Sequence, residues 1–236
     1  MLFDSDFIAS NRVRLTGRRF SHIQEVLKAK EGQQLTVGKI NGLMGQGTLV
    51  SQTKSAVELE VKLDQKPPQA LPLTLVLALP RPPMLKRILF SAAMLGVKKI
   101  IILNFNRVEK SLWNSSSLKK EAIEEQLILG LEQAKDTLIP EVLLKKGFKP
   151  FVQDELPGLI NGKSALVAHP DQNRGQPPIF KQNRGQPPIL LVIGPEGGII
   201  DYEIEALKAA GCQTLDLGPR ILRTEYVLPY VIGKLY

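Results

Sequence analysis

Two glycine-bearing segments near the C-terminus have the residue types and spacing to bind a ligand. The sequence Ile-Gly-Pro-Glu-Gly-Gly at 193–198 follows an apolar run, and Leu-Gly-Pro-Arg-Ile-Leu-Arg-Thr-Glu at 217–225 follows a second one. Each segment places a turn at the end of a predicted buried strand, where open α/β sheets hold their ligands. Glycine lets backbone groups approach a ligand that a Cβ atom would push away. We therefore predict a single pocket formed by both segments.

The familiar phosphate-binding motifs do not account for the first segment. It is not followed by Gly-Lys-Ser or Gly-Lys-Thr, and it lacks the Gly-x-Gly-x-x-Gly spacing of dinucleotide-binding folds. A phosphate cradle is therefore not predicted. Taken alone, the segment is equally consistent with a tight strand-to-helix turn that has Asp201 near the helix start. The second segment favours ligand binding.

The elements that must position these segments follow an alternating pattern. Buried strands alternate with amphipathic helices beyond residue 72, which predicts a parallel sheet with helices on both faces. Strands are predicted over 73–79, 100–103, 142–144, 165–168, 189–193 and 214–217. Helices are predicted over 85–95, 118–135 and 201–210 and after Thr224.

The N-terminal part of the chain has a different pattern. Closely spaced prolines at 67–72 predict a stiff linker, and hence an N-terminal domain over 1–66 and a C-terminal domain over 73–236. Short β-rich segments at 35–37, 47–50 and 57–61 predict a small barrel or curled sheet. A helix over 21–30, with Ile23, Val26 and Leu27 on one face, is expected to interrupt it.

The charge and the cysteine and histidine content indicate which classes of partner the protein binds. Lysine and arginine number 31 against 23 aspartate and glutamate, and the net charge of +8 favours a polyanion, foremost nucleic acid. One cysteine and two histidines leave no ligand set for a structural zinc ion and no intramolecular disulfide. With no signal sequence and no apolar run of membrane-spanning length, we expect a cytoplasmic protein without metal or membrane partners.

Eight residues, Gln-Asn-Arg-Gly-Gln-Pro-Pro-Ile, occur twice, at 172–179 and 182–189. Two units cannot form a solenoid, so we interpret the repeat as a tandem duplication that lengthens a polar surface loop. An RNA-contacting arm carrying Arg174 and Arg184 is the alternative.

The two glycine-bearing segments resemble the SPOUT, or trefoil-knot, RNA methyltransferases, and within them the RsmE family, which methylates uridine N3 in small-subunit (16S) ribosomal RNA. Both match the family signatures nearly letter for letter through Glu225. Looser likenesses are Gly-Arg-Arg-Phe-Ser-His at 17–22, Leu-Gly-Val at 95–97 with Arg107 beyond the next strand, and Glu-Gln at 132–133. The chain departs from the family at Tyr226 and Val227, where Thr-Ala is usual, and at 134–138, where arginine is usual.

The resemblance implies a fold, a cofactor and partners. The implied fold is α/β, with a C-terminal SPOUT-type parallel sheet containing a deep trefoil knot and a small PUA-like N-terminal β-barrel. The implied cofactor is S-adenosylmethionine, and the implied partners are small-subunit ribosomal RNA, or the assembled small subunit, and a second copy of the chain. The alternatives are another knot-type RNA methyltransferase, acting on a transfer RNA base or a ribose 2′-hydroxyl, and a non-catalytic RNA-binding protein.

The resemblance also implies site residues. Uridine N3 must be exposed and must lose its proton, so Arg223 is expected to orient the base or stabilise negative charge, and Glu225 to accept or relay the proton. A salt-bridged helix start is the alternative for this pair. The expected cofactor-binding residues are Ala168, His169, Ile193, Gly194, Pro195, Gly197, Gly198, Leu217, Gly218, Ile221, Leu222 and Thr224. The expected RNA-binding residues are Arg12, Arg14, Arg18, Arg19 and Arg107.

Dimerisation is expected through the C-terminal domain, and the apolar terminal helix is one reason for it. Its apolar residues represent more apolar surface than a small domain readily covers, and the resemblance also implies dimerisation through this domain. These residues are Val227, Leu228, Val231, Ile232 and Leu235.

Overall fold

A computed structural model describes residues 1–169 and 188–236, and these form two compact units. Unit 1 comprises Met1–Gln69 and Leu131–Ile139, and unit 2 comprises Ala70–Gly130 and Pro140–Tyr236. The boundary after Gln69 falls within the predicted linker at 67–72. Residues 131–139, which the sequence-based boundaries assign to the C-terminal domain, belong to unit 1. The first copy of the repeated segment and most of the second lie outside the described residues.

Unit 1 is built on five antiparallel strands. They are β1 (Phe7–Ala9), β2 (Arg12–Thr16), β3 (Gln34–Gly38), β4 (Met44–Gln52) and β5 (Ala56–Gln65), in the order β1-β2-β5-β4-β3. The three predicted strands fall within β3, β4 and β5, and alternate residues of β2 are buried, as expected for a sheet with one face on the core. The predicted small N-terminal β domain is confirmed.

The residues before β1 close this sheet. The Leu2 amide donates to the Gly38 carbonyl at 2.8 Å, and the Ile40 amide donates to the Leu2 carbonyl at 2.9 Å. Leu2 precedes one edge strand, β1, and bonds the end of the other, β3, so the two edges are joined. The enclosed core includes Val13 and Leu49, both fully buried.

The predicted helix over 21–30 is misplaced. A short helix, α1 (Gly17–Ser21), and a π-helical turn over His22–Val26 stand there instead. Because the helix begins directly after β2, its buried face is formed by Phe20 and Ile23, three residues apart. Val26 and Leu27 are 65% and 47% exposed, so the predicted apolar face is wrong at those two positions.

Unit 2 contains a six-stranded parallel sheet. Its strands are β6 (Leu71–Ala78), β7 (Val97–Leu103), β8 (Glu141–Lys145), β9 (Ser164–Ala168), β10 (Ile189–Ile193) and β11 (Gln213–Leu215), in the order β11-β9-β10-β6-β7-β8. All five strand pairs are parallel. The strand β10 is buried along its whole length, as expected for a strand covered on both faces.

Helices connect these strands. The long ones are α2 (Pro82–Met94), α3 (Lys120–Ala134), α6 (Asp201–Ala209) and α7 (Thr224–Leu235). A further helical segment, made of α4 (Phe148–Pro150), a π-helical turn (Phe151–Glu155) and α5 (Leu156–Ile160), was not predicted from the sequence. Its two prolines mask the helical pattern, although Phe151 and Leu156 are buried. Within residues 1–169 and 188–236, none of the helices is long and apolar enough to cross a membrane.

The strand order places a crevice at the centre of the sheet. From β6 the chain moves outward in one direction through β7 and β8, and it then returns to the other side of β6 as β9 and β10. The order therefore reverses between β6 and β10. Ligands of open α/β sheets bind at such a point, beyond the carboxyl ends of the strands.

The apolar face of α7 is covered within unit 2. The helix packs against α2 and β10, and Leu228 and Val231 are completely buried. The other three residues of the predicted dimer face, Val227, Ile232 and Leu235, are 6–8% exposed. Uncovered apolar surface on this helix is therefore not a reason to expect a dimer, and that part of the prediction is wrong.

Two helices of unit 2 approach closely at Gly130. A Cβ atom at this position would lie 2.4 Å from the Phe90 carbonyl oxygen and 2.9 Å from the Ala93 Cβ atom. Contacts this short require the backbone of α2 to shift. Gly130 therefore sets the separation of α2 and α3.

We expect Gly130→Ala to lower the free energy of unfolding by about 1–3 kcal/mol, because the added methyl group overpacks the contact with α2. Gly233→Ala, in α7, is the matched control, since no atom lies within 4 Å of its added Cβ. The control should be neutral or stabilising by up to about 1 kcal/mol. Urea unfolding of both variants provides the measurement, and equal stabilities would contradict the close approach.

Candidate functional site

A cleft opens at the carboxyl edge of the parallel sheet, where the strand order reverses. Its cavity volume is about 860 Å³, within the range of small-molecule sites. Its walls include the connections that follow β6, β7, β10 and β11, Ala168 and His169 at the end of β9, and the start of α7. Both glycine-bearing segments line it, so the predicted single pocket is present in the structure.

The first glycine loop leads from β10 into α6. It contains a turn in which the Gly198 amide donates to the Pro195 carbonyl at 2.8 Å, with Gly198 at a φ of +80°. The loop ends where α6 begins at Asp201. Because β10 ends at the carboxyl edge of the sheet, the loop that follows it lies at that edge.

A buried carboxylate attaches this loop to its neighbour. Glu203 is 2% exposed and accepts from the Asn106 amide at 2.7 Å and from the Ile200 amide at 3.4 Å. It therefore joins the start of α6 to the connection after β7. The sequence analysis missed this residue, although an acidic side chain in the first turn of a helix is a capping signal.

Arg107 makes a second link between the same two segments. Its guanidinium donates to the Gly197 carbonyl. A Cβ atom added to Gly197 would lie 3.4 Å from two carbon atoms of the Arg107 side chain, an ordinary contact. The predicted RNA contact at Arg107 therefore lies on the wall of the cleft, with its charged end on the glycine loop.

The second glycine segment is shaped by an aspartate. The Asp216 carboxylate accepts from the Gly218 amide at 2.8 Å, and Gly218 has a φ of +100°, where residues with a Cβ atom are strained. The strand before it is held by a bond from the His169 amide to the Leu215 carbonyl, at 3.2 Å. Of the apolar residues beyond, Leu222 is half-buried, whereas Ile221 is 87% exposed.

The predicted catalytic pair lies at the start of α7. Arg223 Nε is 3.4 Å from Glu225 Oε1, and the two side chains are 67% and 5% exposed. A second guanidinium, from Arg87 on α2, places its Nη1 atom 3.6 Å from the same oxygen. Among the described residues, this buried oxygen forms no hydrogen bond.

The turn between β6 and α2 completes the wall. The Arg81 amide donates to Glu196 at 3.3 Å, and the Arg81 guanidinium donates to Glu109 at 3.1 Å. Met84 lies beside the catalytic pair, with its sulfur 3.9 Å from Arg223 Nη2. The sequence analysis missed this turn, although the carboxyl end of a central strand is the place to look for ligand contacts.

The structure brings together every expected cofactor-binding and catalytic residue, and it brings Arg107 to the same cleft. The residues on the cleft are Ala168, His169, Ile193, Gly194, Pro195, Gly197, Gly198, Leu217, Gly218, Ile221, Leu222, Arg223, Thr224 and Glu225. The four remaining arginines expected to bind RNA, Arg12, Arg14, Arg18 and Arg19, belong to unit 1.

The arginines of unit 1 differ in how they are held. Arg19 forms a two-point ion pair with the buried carboxylate of Asp6 and is only 20% exposed, so it supports the fold. Arg12 and Arg14 are exposed, and Arg12 pairs with Glu58 at 2.9 Å.

Arg18 is exposed and pairs with Glu132 at 2.8 Å. Burial raises the pKa of Glu132, but the Met1 ammonium and Arg18 more than offset this, and the pKa lies below its usual value. Glu132 therefore stays ionised at neutral pH and keeps its pairing with Arg18.

Thiolate and metal chemistry find no support among the described residues. Burial raises the pKa of the Cys212 thiol to about 11, so this cysteine is protonated at neutral pH and is not a thiolate nucleophile. Over the part of the chain that the structure describes, no cluster of three or more histidine, cysteine, aspartate or glutamate residues is arranged to hold a metal ion.

We expect Glu203→Ala to lower the free energy of unfolding by about 1–3 kcal/mol, because two backbone amides lose their buried acceptor. Glu205→Ala is the control on the same helix, since Glu205 makes only an exposed ion pair with Lys208 at 3.0 Å. Thermal or urea unfolding compares them, and equal stabilities would show that Glu203 does not hold the two segments together.

Comparison with known proteins gives consistent results. A family model described as an RNA methyltransferase domain matches residues 67–235. The chain is 30% identical over 228 residues to ribosomal RNA small subunit methyltransferase E of Treponema pallidum, covering 95% of this chain and 85% of the relative. It is 25% identical over 237 residues to the protein of the same name from Bacillus subtilis, covering 94% and 88%.

Solved structures share the fold. A putative methyltransferase from Legionella pneumophila, in complex with S-adenosylmethionine, has a TM-score of 0.69 at 25% identity and covers 94% of this chain and 89% of its own. Ribosomal RNA small subunit methyltransferase E from Neisseria gonorrhoeae, bound to S-adenosylmethionine, has a TM-score of 0.72 at 21% identity, covering 98% and 94%. These likenesses confirm the predicted fold class.

Proposed function

The chain belongs to the RNA methyltransferase family of the ribosomal RNA small subunit methyltransferases E, and we propose that it methylates uridine N3 in small-subunit (16S) ribosomal RNA, with S-adenosylmethionine as methyl donor. The observation that carries this proposal is the convergence of both signature segments and the Arg223–Glu225 pair on one cleft. Methylation of transfer RNA or of a ribose hydroxyl is not favoured, since the named relatives act on small-subunit ribosomal RNA.

The cleft has the chemistry that this cofactor needs. S-adenosylmethionine has an adenine ring and a sulfonium methyl group but no phosphate, so it calls for backbone hydrogen bonds and apolar walls. The two glycine segments would supply the backbone groups. Ile193, Leu217 and Leu222 line the same cleft and would supply apolar surface. The absence of a phosphate-loop motif fits such a ligand.

The side chains at the start of α7 would handle the charge changes of the reaction. When bound, the cofactor supplies a methyl group, and transfer forms a bond from N3 to carbon as the sulfur–carbon bond breaks, leaving a neutral thioether. Glu225 would accept the proton that N3 loses. Arg223 would orient the base and stabilise the negative charge that develops on it.

The RNA must present an unpaired base. Uridine N3 lies on the Watson–Crick edge, so the target nucleotide has to be unpaired or extruded before it reaches the cleft. Arg12, Arg14 and Arg18 of unit 1 would contact phosphates, which position a substrate without reading its sequence. Action on ribosomal RNA would place the protein in the cytoplasm.

A homodimer is part of this proposal through the family resemblance. Sedimentation velocity at micromolar concentration tests it directly. A purely monomeric profile would remove the dimer from the proposal without affecting the assigned reaction.

The reaction is tested by incubating the protein with unmodified small ribosomal subunits and methyl-labelled S-adenosylmethionine, followed by digestion of the RNA to nucleosides. We expect the label in 3-methyluridine of the small-subunit RNA. Label in a ribose or in another base, or no transfer at all, would refute the proposal.

Arg223→Ala should separate chemistry from binding. We expect the single-turnover rate of methyl transfer to fall by about a hundredfold or more with little change in cofactor affinity, because one electrostatic contact to the transition state is lost. Arg223→Lys should be intermediate, since lysine retains the charge but not the planar fork. If Arg223→Ala abolishes cofactor binding while the rate at saturating cofactor is unchanged, the arginine is structural.

Gly218→Ala should weaken cofactor binding by about 1–3 kcal/mol, because the φ of +100° strains any residue with a Cβ atom. Gly197→Ala should have a smaller effect, since its Cβ meets Arg107 at an ordinary contact distance. The sequence alone predicts a loss of affinity at both glycines and does not rank them. Isothermal titration with S-adenosylmethionine ranks the two variants, and a larger loss for Gly197→Ala would reverse this assignment.

A further inference from the structure

Arg87 contacts the proposed catalytic pair from outside the cleft. It lies in α2, is 60% exposed and does not line the cavity. Its Nη1 atom is 3.6 Å from Glu225 Oε1, the same oxygen that lies 3.4 Å from Arg223 Nε. One carboxylate oxygen is thus shared by two guanidinium groups from different elements.

The interactions of Glu225 Oε1 with Arg87 and Arg223 are electrostatic. The Glu225 side chain is 5% exposed, and its Oε1 atom forms no hydrogen bond among residues 1–169 and 188–236. Both guanidinium groups are mostly exposed. A buried carboxylate is costly unless opposite charges lie near, and the guanidinium groups of Arg87 and Arg223 both place such a charge beside the same Glu225 oxygen.

The charge of the cluster depends on Arg87. Arg223 and Glu225 alone form a neutral pair, in which the carboxylate offsets the charge that Arg223 presents to the base. With Arg87 the three side chains carry one net positive charge. A base that is losing its N3 proton becomes negative, and a preorganised positive charge beside it stabilises that change.

We propose that Arg87 is a positioning residue for methyl transfer, which acts through Glu225 by holding its carboxylate and leaving the charge of Arg223 available to the uridine. This inference rests on the proposed function, because it assigns a role relative to the uridine in that reaction. Arg87 does not line the cleft in which the cofactor and the uridine are proposed to bind.

The test compares Arg87→Ala, Arg87→Lys and Lys86→Ala, each alone, and Arg87→Ala again in a Glu225→Gln background. Lys86 is the matched control, an exposed cation on the same helix. Alanine is a strong helix former, so none of these changes should disrupt α2. Single-turnover transfer to small ribosomal subunits is measured at saturating cofactor, and cofactor affinity is measured by titration.

We expect Arg87→Ala to slow methyl transfer about fivefold, a modest loss because the contact with Glu225 is partly exposed and therefore screened. Cofactor binding should not weaken, because Arg87 does not line the cleft. Arg87→Lys should recover most of the rate, and Lys86→Ala should match the unaltered protein. The Glu225→Gln background lacks the proposed proton acceptor and is slow in itself, but within it Arg87→Ala should change the remaining rate little, because the charge to be offset is gone.

A rate unchanged by Arg87→Ala, or a loss of the same size in the Glu225→Gln background, would overturn the proposal.

Urea unfolding gives a readout that does not need activity. Arg87→Ala should lower the unfolding midpoint only while Glu225 is present, and equal shifts in both backgrounds would remove the contact on which the proposal stands. If the unaltered protein transfers no methyl group, the proposed function fails, whereas the unfolding result still decides the contact.

Discussion

The parallel pairing of β6 with β10 is the constraint on which the site depends. Ile193 lies opposite Leu77, so both strands end at the same height, and the chain leaves them in two connections that face one cleft. One connection is the first glycine loop, and the other is the turn that leads into α2. Since the strand order reverses between these two strands, their helices lie apart and leave room for a ligand. Residues distant in the sequence are thereby brought to one edge.

Polar side chains fix the geometry of connections that are rich in glycine. Glycine permits close approach but loses more conformational freedom on folding than other residues, so its loops need external support. Glu203 and Arg107 bind the first loop from two directions, and Asp216 binds the amide of Gly218 in the second. The supporting residues lie on or beside regular elements, which is the arrangement that keeps a binding site rigid.

Much of this architecture is predictable from sequence because the signals are local. Apolar runs predict the strands of unit 2, and the two signature segments identify one side of the cleft. Arg87 and Glu203 act through partners far along the chain, so local patterns do not reveal them. The helix α1 begins directly after β2, at Gly17, and Val26 and Leu27 lie beyond it and are exposed, although the local pattern predicts them on the apolar face. Similarly, the apolar residues of α7 predict burial but do not reveal that α2 and β10 provide it.

Unit 1 is discontinuous in sequence because it includes residues 131–139, and this determines when it can be completed during translation. The Asn41 amide donates to the Thr137 carbonyl at 2.8 Å, and the Ile139 amide donates to the Asn41 side chain at 3.0 Å. Thr137 is 1% exposed, so its segment is an integral part of the unit. During translation, the first 69 residues emerge without these contacts, and residues 70–130 are synthesised before the segment that completes the unit. Unit 1 is therefore completed only after the first two strands of unit 2, β6 and β7, have been synthesised.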